Sequence, residues 1–461
     1  MKSFFNPLLC GLACSQLASA IDLDVNSPAS IKSTAGTIAH GIMTYYSANK
    51  TGTPATKVGT FPPPLYWWES GAVWGGLVDY WMYTKDSSYN PTISQGLLAQ
   101  VGPNKDYLPP AYFSSIGNDD QSFWALAALS AAEYGFEVPS GNKSTLWSDL
   151  AEAVFAGQVP RWDDSSCNGG LRWQIFSSLS GYDYKNSISN GGFFQMAARL
   201  ARYTGNQTYV DWAEKAWNWM EGVGLIDHEY NVFDGADIHN NCTNPNKEVW
   251  SYNPAMMLYG TAMMYNSTNG GEIWKNRTSG LVEAISRDLF SPFSNSTDVM
   301  FERACELKNI CDNDQLSFKA YLGRWMAKSA VVAPYIADPV TKLLTRSAQA
   351  AAQSCSGGRD GVTCGERWWV HGWDGSYGIG QQLSALEVVQ SLLLLRNPVA
   401  PQTLQDVLKQ STPSHTASVS SNATETVASN AGHRVIGSSV GTWMLPVGLS
   451  LVLGGTMGIF Q

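Results

Sequence analysis

The sequence predicts an all-α chain folded as an (α/α)6 toroid, six inner helices enclosed by six outer ones. Three observations predict it. Some helical segments are amphipathic and others are apolar nearly all round; the two kinds alternate along the chain; and no segment sustains the period-2 alternation of a half-buried strand. With 461 residues, 44% of them hydrophobic and only 15% charged, the chain can fill the large core that such a ring needs.

The elements follow in outer–inner order: 31–48 outer, 69–83 inner, 90–101 outer, 120–134 inner, 144–157 outer, 191–203 inner, 207–221 outer, 253–265 inner, 272–289 outer, 314–329 inner, 338–353 outer and 380–395 inner. The outer kind is clearest at 207–221. Val210, Ala213, Trp217 and Met220 share one face there, while Asp211, Glu214, Lys215, Asn218 and Glu221 share the other. The inner kind is clearest at 122–132 (SFWALAALSAA) and 254–264 (PAMMLYGTAMM), which carry no charge and so belong where protein covers every side.

The two ends read as addresses rather than fold. Residues 1–20 open with Lys2, run through an apolar stretch and close on Ala18–Ser19–Ala20, the form of a secretory signal. Residues 21–398 form the folded domain, and 399–430, rich in Ser and Thr from 411 onward, read as a disordered stalk. Residues 431–461 read as a glycosylphosphatidylinositol (GPI) attachment signal. Small residues Asn430–Ala431–Gly432 precede a polar spacer and an uncharged tail, with Asn430 as the lipid attachment residue. The chain is thus expected to be secreted and held by its anchor at the outer face of the plasma membrane and in the cell wall.

An oxidising destination accounts for the cysteines. Six remain after the signal: Cys167, Cys242, Cys305, Cys311, Cys355 and Cys364. They suggest three disulfides, with 15 conceivable connectivities. The close pairs Cys305/Cys311 and Cys355/Cys364 read as loop clips, leaving Cys167 with Cys242. Eight N-x-S/T acceptors, at Asn49, Asn142, Asn206, Asn241, Asn266, Asn276, Asn295 and Asn422, point to N-glycosylation. The net charge of −9 argues against nucleic acid or an anionic membrane surface as partner. No metal site is expected: there is no C-x-x-C, the His residues are scattered, and Asp312–Asn313–Asp314 lacks the later Gly and Glu of a calcium loop. No phosphate-binding Gly loop or Gly-x-Ser-x-Gly elbow occurs, so no cofactor is implied. Nothing suggests more than a monomer.

In a toroid the loops before the inner helices converge on one mouth. Here they are polar and aromatic: Trp67–Trp68–Glu69–Ser70, Asn118–Asp119–Asp120–Gln121, Asn190–Gly191–Gly192, Tyr252–Asn253–Pro254 and Asp314–Gln315. Eighteen Trp and twenty Tyr supply rings on which the C–H faces of sugars can stack, although most must fill the core. The sharpest feature is Asp119–Asp120. One reading is a helix N-cap with an acidic first turn. The other is a glycosidase pair, one carboxylate the nucleophile and one the acid/base. Retention needs a separation of ~5–5.5 Å, which neighbouring side chains diverging from Cα atoms about 3.8 Å apart can reach. Their coupled titration implies an acidic pH optimum. Asp163–Asp164, beside Cys167, reads as a solvated turn, and Gly372–Trp373–Asp374–Gly375 as an aromatic turn lining the cleft.

At this point the chain resembles glycoside hydrolase family 76, the α-1,6-mannanases, in its fungal GPI-anchored branch of mannan endo-1,6-α-mannosidases. The likeness rests on Gly117–Asn118–Asp119–Asp120–Gln121 before Trp124, on Tyr66–Trp67–Trp68–Glu69–Ser70–Gly71, and on Cys167–Asn168–Gly169–Gly170–Leu171–Arg172–Trp173–Gln174. Asn186 through Asn190–Gly191, Phe233–Asp234–Gly235 and Trp250–Ser251–Tyr252–Asn253 extend it over roughly residues 25–395. The resemblance implies an (α/α)6 fold, retention of configuration, Asp119 as nucleophile and Asp120 as acid/base. It further implies sugar contacts from Trp68, Glu69, Asn118, Asn168, Trp173, Asn190, Asp234, Tyr252 and Asn253. The donor it implies is α-1,6-linked mannan or the GPI-core glycan, with wall glucan as acceptor if sugar is transferred, so that GPI glycoproteins become attached to the wall. Pure hydrolysis and a non-catalytic mannose-binding wall protein are the alternatives. A lyase or hydrolase of uronates ranks last, because the mouth is acidic where a uronate needs cations.

Overall fold

A computed structural model describes residues 20–411. The secretory signal up to residue 19 and the GPI signal with Asn430 lie outside the described residues, as do residues 412–430 of the stalk. All twelve expected helices are present, within a few residues of the expected bounds. The inner ones are α2 (Trp67–Thr84), α4 (Asn118–Glu133), α6 (Ser187–Thr204), α8 (Tyr252–Ser267), α10 (Phe318–Val332) and α12 (Ile379–Arg396). The outer ones are α1 (Pro28–Tyr45), α3 (Asn90–Ala99), α5 (Leu146–Gln158), α7 (Gln207–Gly222), α9 (Glu272–Asp288) and α11 (Ala337–Ser354). Inner helices pack in sequence around a closed ring, with α12 returning to α2. Each outer helix covers an inner one: α3 on α2, α5 on α4, α7 on α6, α9 on α8, and α1 and α11 on α12.

Local chemistry sets the boundaries. Ser27 and Asn186 accept backbone N–H groups at the starts of α1 and α6, and Asn206 does the same for α7. α6 ends at Gly205 in the left-handed region (φ 73°). Inner helices approach closely because their contact faces carry small residues. A Cβ on Gly71 of α2 would stand 2.7 Å from the Trp124 ring of α4. The sequence reading departs from the structure in two places. A thirteenth helix, α13 (Leu404–Ser411), occupies part of the segment assigned to the stalk, and Gln402 N–H donates to Glu133 O just before it. A small antiparallel sheet also joins β1 (Tyr184–Asn186) to β2 (Gly235–Asp237), with Asn186 opposite Gly235. Three residues per strand are too few for alternation to register in a sequence.

The ring is filled with side chains, and buried ion pairs tie the inner helices to one another. Arg199 pairs with Glu133 at 2.8 Å, Arg324 with Glu387 at 2.6 Å and Lys328 with Asp79 at 2.7 Å. The disulfides are Cys167–Cys242, Cys305–Cys311 and Cys355–Cys364, the connectivity read from spacing.

Candidate active site

The N-terminal turns of α2, α4, α6, α8 and α10 open onto a cavity of about 450 Å³. Asp119 and Asp120 both line it. They sit in the first turn of α4, where Asp120 Oδ2 accepts the Gly117 N–H at 2.5 Å and Asp119 Oδ1 accepts the Asp120 N–H at 3.0 Å. Each carboxyl therefore keeps one oxygen tied to the helix terminus and the other uncommitted to it. The capping role and the cleft position coexist in the same two residues.

Burial dominates their electrostatics. It pushes Asp119 up to about 7, although hydrogen bonds from the Asp120 and Asp119 backbone and from Asn186 pull the other way and Asp314 adds a further upward push. Asp120 is raised well above the ordinary carboxylate range, first by burial and next by the charge of Asp119, with the Gly117 N–H opposing. The two carboxyls titrate as a pair, so that ionising one makes the other keep its proton. Two further carboxyls share the cavity. Asp314 is pushed up to about 6 by burial and by Asp312, and it accepts Trp68 Nε1–H at 3.1 Å. Asp234 is raised by burial and accepts the Tyr184 hydroxyl at 2.7 Å and Asn246 Nδ2–H at 3.2 Å.

The walls are aromatic. Trp68 lies against Phe123 (centroids 4.5 Å apart), and Tyr252 stacks on Phe318 at 3.8 Å and 12°. Trp173 and Tyr66 expose their rings to solvent at the rim. None of the lining residues is Lys, Arg or His. Two adjacent carboxyls, one able to give a proton and the other ionised, beside apolar ring faces suit cleavage or transfer of a neutral sugar, and the cavity offers no counter-charge for a uronate.

Six of the residues expected at the site meet at the cavity: Trp68, Asp119, Asp120, Trp173, Asp234 and Tyr252. The other five do not line it. Glu69 is buried beneath, its Oε2 accepting the Tyr66 N–H at 2.8 Å to cap α2. Asn118 and Asn190 are buried brackets. Asn118 donates from its N–H to Trp173 O and from Nδ2 to Arg172 O, both at 2.9 Å. Asn190 Oδ1 accepts the Leu171 N–H at 2.7 Å, and its Nδ2 donates to Leu171 O at 3.0 Å. Together they hold the strand of chain that presents Trp173. Asn253 is buried behind Tyr252. Asn168 is exposed and left-handed (φ 54°) in the loop after Cys167. Polar residues at helix starts are used here to fix the backbone around the cavity.

Two other expectations are corrected. Asp163 is no solvated turn: it pairs with Arg172 at 2.8 Å and with buried Lys185 at 3.2 Å. Burial opposes its ionisation, but hydrogen bonds from Ser165 and Ser166 and the Lys185 ammonium outweigh it and hold the carboxyl below its usual range. Trp373 and Asp374 do not line this cavity; Asp374 borders a separate one. The cavity also draws on Tyr66, Phe123, Gln174, Tyr184, Asn186, Asp314 and Phe318, which the expected set omitted. Asp314 carried a signal, since it begins an inner-helix segment. Tyr184 carried none, because the short β1–β2 pairing puts it there.

Comparison with known proteins adds relatives. Residues 30–405 match the model of glycosyl hydrolase family 76. The mannan endo-1,6-α-mannosidase DCW1 of Candida albicans is 47% identical over 84% of this chain and 85% of its own. The crystal structure of Dfg5 from Chaetomium thermophilum in complex with glucosamine superposes with a TM-score of 0.78, at 41% identity over 83% of this chain and 94% of that one. An inactive variant of a Salegentibacter α-1,6-mannanase, altered at two consecutive aspartates and bound to α-1,6-mannotriose, shares the fold. Its TM-score is 0.62 at 18% identity, covering 79% of this chain and 99% of that one.

Proposed function

Because the chain belongs to glycosyl hydrolase family 76 and is a glycosidase, we propose that it cleaves α-1,6-linked mannose with retention of configuration, using Asp119 as nucleophile and Asp120 as acid/base. The observation that carries this reading is the geometry of the pair: two adjacent carboxyls in the first turn of α4, Asp119 buried and Asp120 half-buried, both facing the cavity and both raised, so that one can hold a proton beside an ionised partner. Asp120 protonates the glycosidic oxygen while Asp119 attacks the anomeric carbon, forming a mannosyl ester and releasing the alcohol. Asp120, now ionised, then takes a proton from an incoming hydroxyl, whose oxygen displaces Asp119. Trp68, Trp173 and the Tyr252–Phe318 stack offer faces to the sugar rings. The donor is α-mannan or the mannose of a GPI-core glycan, supported by the activity in the names of relatives such as the Candida protein.

If the incoming hydroxyl is water the reaction is hydrolysis; if it is a sugar hydroxyl the reaction is transfer. Transfer onto wall glucan, attaching GPI glycoproteins to the wall, fits the reading of residues 1–20 as a secretory signal and of 431–461 as a GPI attachment signal, which would hold the chain at the outer face of the plasma membrane. The test is NMR of the anomeric protons during turnover of an aryl α-mannoside, with and without a β-glucan acceptor. Retention predicts the α-anomer as first product, and transfer predicts a mannosyl-glucan. First release of the β-anomer would refute the two-step mechanism, and free mannose alone in the presence of acceptor would refute transfer.

A further inference from the structure

At the same end of the ring lies a second cavity, of about 330 Å³. The short turn Gln315–Ser317 stands between the two: Asp314, just before it, lines the cleft, and Leu316 within it lines the second cavity. That volume far exceeds the ~30 Å³ share of one water and falls within the ~300–1,000 Å³ typical of ligand sites.

Most of its polar groups are already matched. Glu306 and Lys319 pair at 2.6 Å with both side chains fully buried. Asp374 accepts the N–H groups of Glu366, Arg367 and Ser376 and pairs with the Arg367 guanidinium at 3.0 Å. One lining acceptor is left over. Glu366, 4% exposed, is held by the Lys319 ammonium, 3.3 Å from Oε1, and by Glu306. Gln381, 2% exposed, has an Oε1 that accepts no hydrogen bond. A buried acceptor without a donor is costly, so the cavity is arranged for something that brings a donor.

Charge and shape narrow what that is. The two cations, Lys319 and Arg367, already face carboxylates, so an anion gains no free partner. No trio of acidic, His or Cys groups able to hold a metal ion occurs among the described residues. The open side carries the Tyr377 ring, 69% exposed, beside Trp373, whose Nε1–H donates to Ser376 O at 2.6 Å. A ligand rich in hydroxyl donors, uncharged and with one apolar face meets these conditions. We propose that this cavity is a second glycan-binding site for a neutral hexose unit, a hydroxyl of which donates to Gln381 Oε1 while its C–H face lies on Tyr377. It shares no lining residue with the cleft and stands whichever reaction the cleft catalyses.

The test reads the site locally. Full-length protein carrying Asp119→Asn and Asp120→Asn, to prevent turnover, is labelled with fluorotryptophan, and the Trp373 signal is identified by its loss in Trp373→Phe. Titration with α-1,6-mannotriose or a β-1,3-glucan trisaccharide should move that signal saturably for at least one of them. Tyr377→Ala and Gln381→Ala should each weaken the response about fivefold or more. In the background with both aspartates intact, the same two changes should leave aryl mannoside turnover within about twofold, which also reports that the fold survives. An unmoved Trp373 signal would mean that water alone fills the cavity. Equal affinity in both variants, or an equal response to a galacturonate trisaccharide, would likewise overturn the proposal.

Discussion

Asp119 and Asp120 stand at a helix N-terminus, where the macrodipole favours ionised carboxyls, yet burial outweighs it and raises both, with the charge of Asp119 adding to the shift of Asp120 and that of Asp314 to both. Replacing either by Asn keeps the shape and removes the chemistry, so kcat of Asp119→Asn and of Asp120→Asn should fall by ~10³-fold or more, the double variant falling little further because the two act as one unit. Steady-state kinetics on an aryl α-mannoside checks both. The pH dependence follows from the same pair. The reactive state holds one proton, so kcat/KM should be bell-shaped, rising as the first proton leaves and falling as the second does. With Asp119 at about 7, the rising limb lies near neutrality, above the acidic optimum expected from the coupled pair in the sequence, because burial adds to the coupling. A profile that declines steadily from pH 5 to pH 7 would contradict that placement.

Among the elements, the start of α4 is the most constrained. A Cβ at Gly117 would collide with Asp119 Oδ1 and come within 3.0 Å of Trp173 O. Gly117 has an ordinary φ of −90°, so Ala there is free of backbone strain and acts by displacing the nucleophile. Gly117→Ala should lower kcat by ~10–100-fold with KM and the melting temperature little changed, as kinetics and calorimetry would show. The twelve ring helices were legible because burial imposes periodicity: α7 has one solvent face, whereas α4 and α8 have none. The cavity was legible only where a motif carried its chemistry within a few residues, as in Asp119–Asp120 and Trp68. Glu69, Asn118 and Asn190 belong to those motifs yet serve the backbone, and sequence alone does not separate a side chain that braces a wall from one that faces it. Tyr184 and Asn246 reach Asp234 through strand and loop geometry that no periodicity records.

For the whole molecule, the buried ion pairs between inner helices are a stability liability if broken. Arg199→Met would leave Glu133 buried and unpaired, at a cost of about 3–5 kcal/mol in denaturant unfolding, and adding Glu133→Leu should restore most of it. Stability should also depend on pH with a sign fixed by the raised carboxyls. Asp119, Asp314 and Glu302, at about 7, about 6 and about 8, bind protons more tightly folded than unfolded. Their contribution is complete below about pH 4 and is lost as pH rises to about 8. The melting temperature should therefore decline across that window, and less steeply in Asp119→Asn; an identical slope in the variant would show that Asp119 is not the group concerned.

The most direct measurement is covalent trapping. Full-length protein is incubated with an activated 2-deoxy-2-fluoro-α-mannoside and digested for peptide mass spectrometry. A fluoromannosyl ester on Asp119, formed at full stoichiometry and retained in Asp120→Ala with the same activated donor, is the expected result. An adduct on Asp120, or none while the enzyme still turns over unmodified mannosides with inversion, would contradict the roles assigned to the pair.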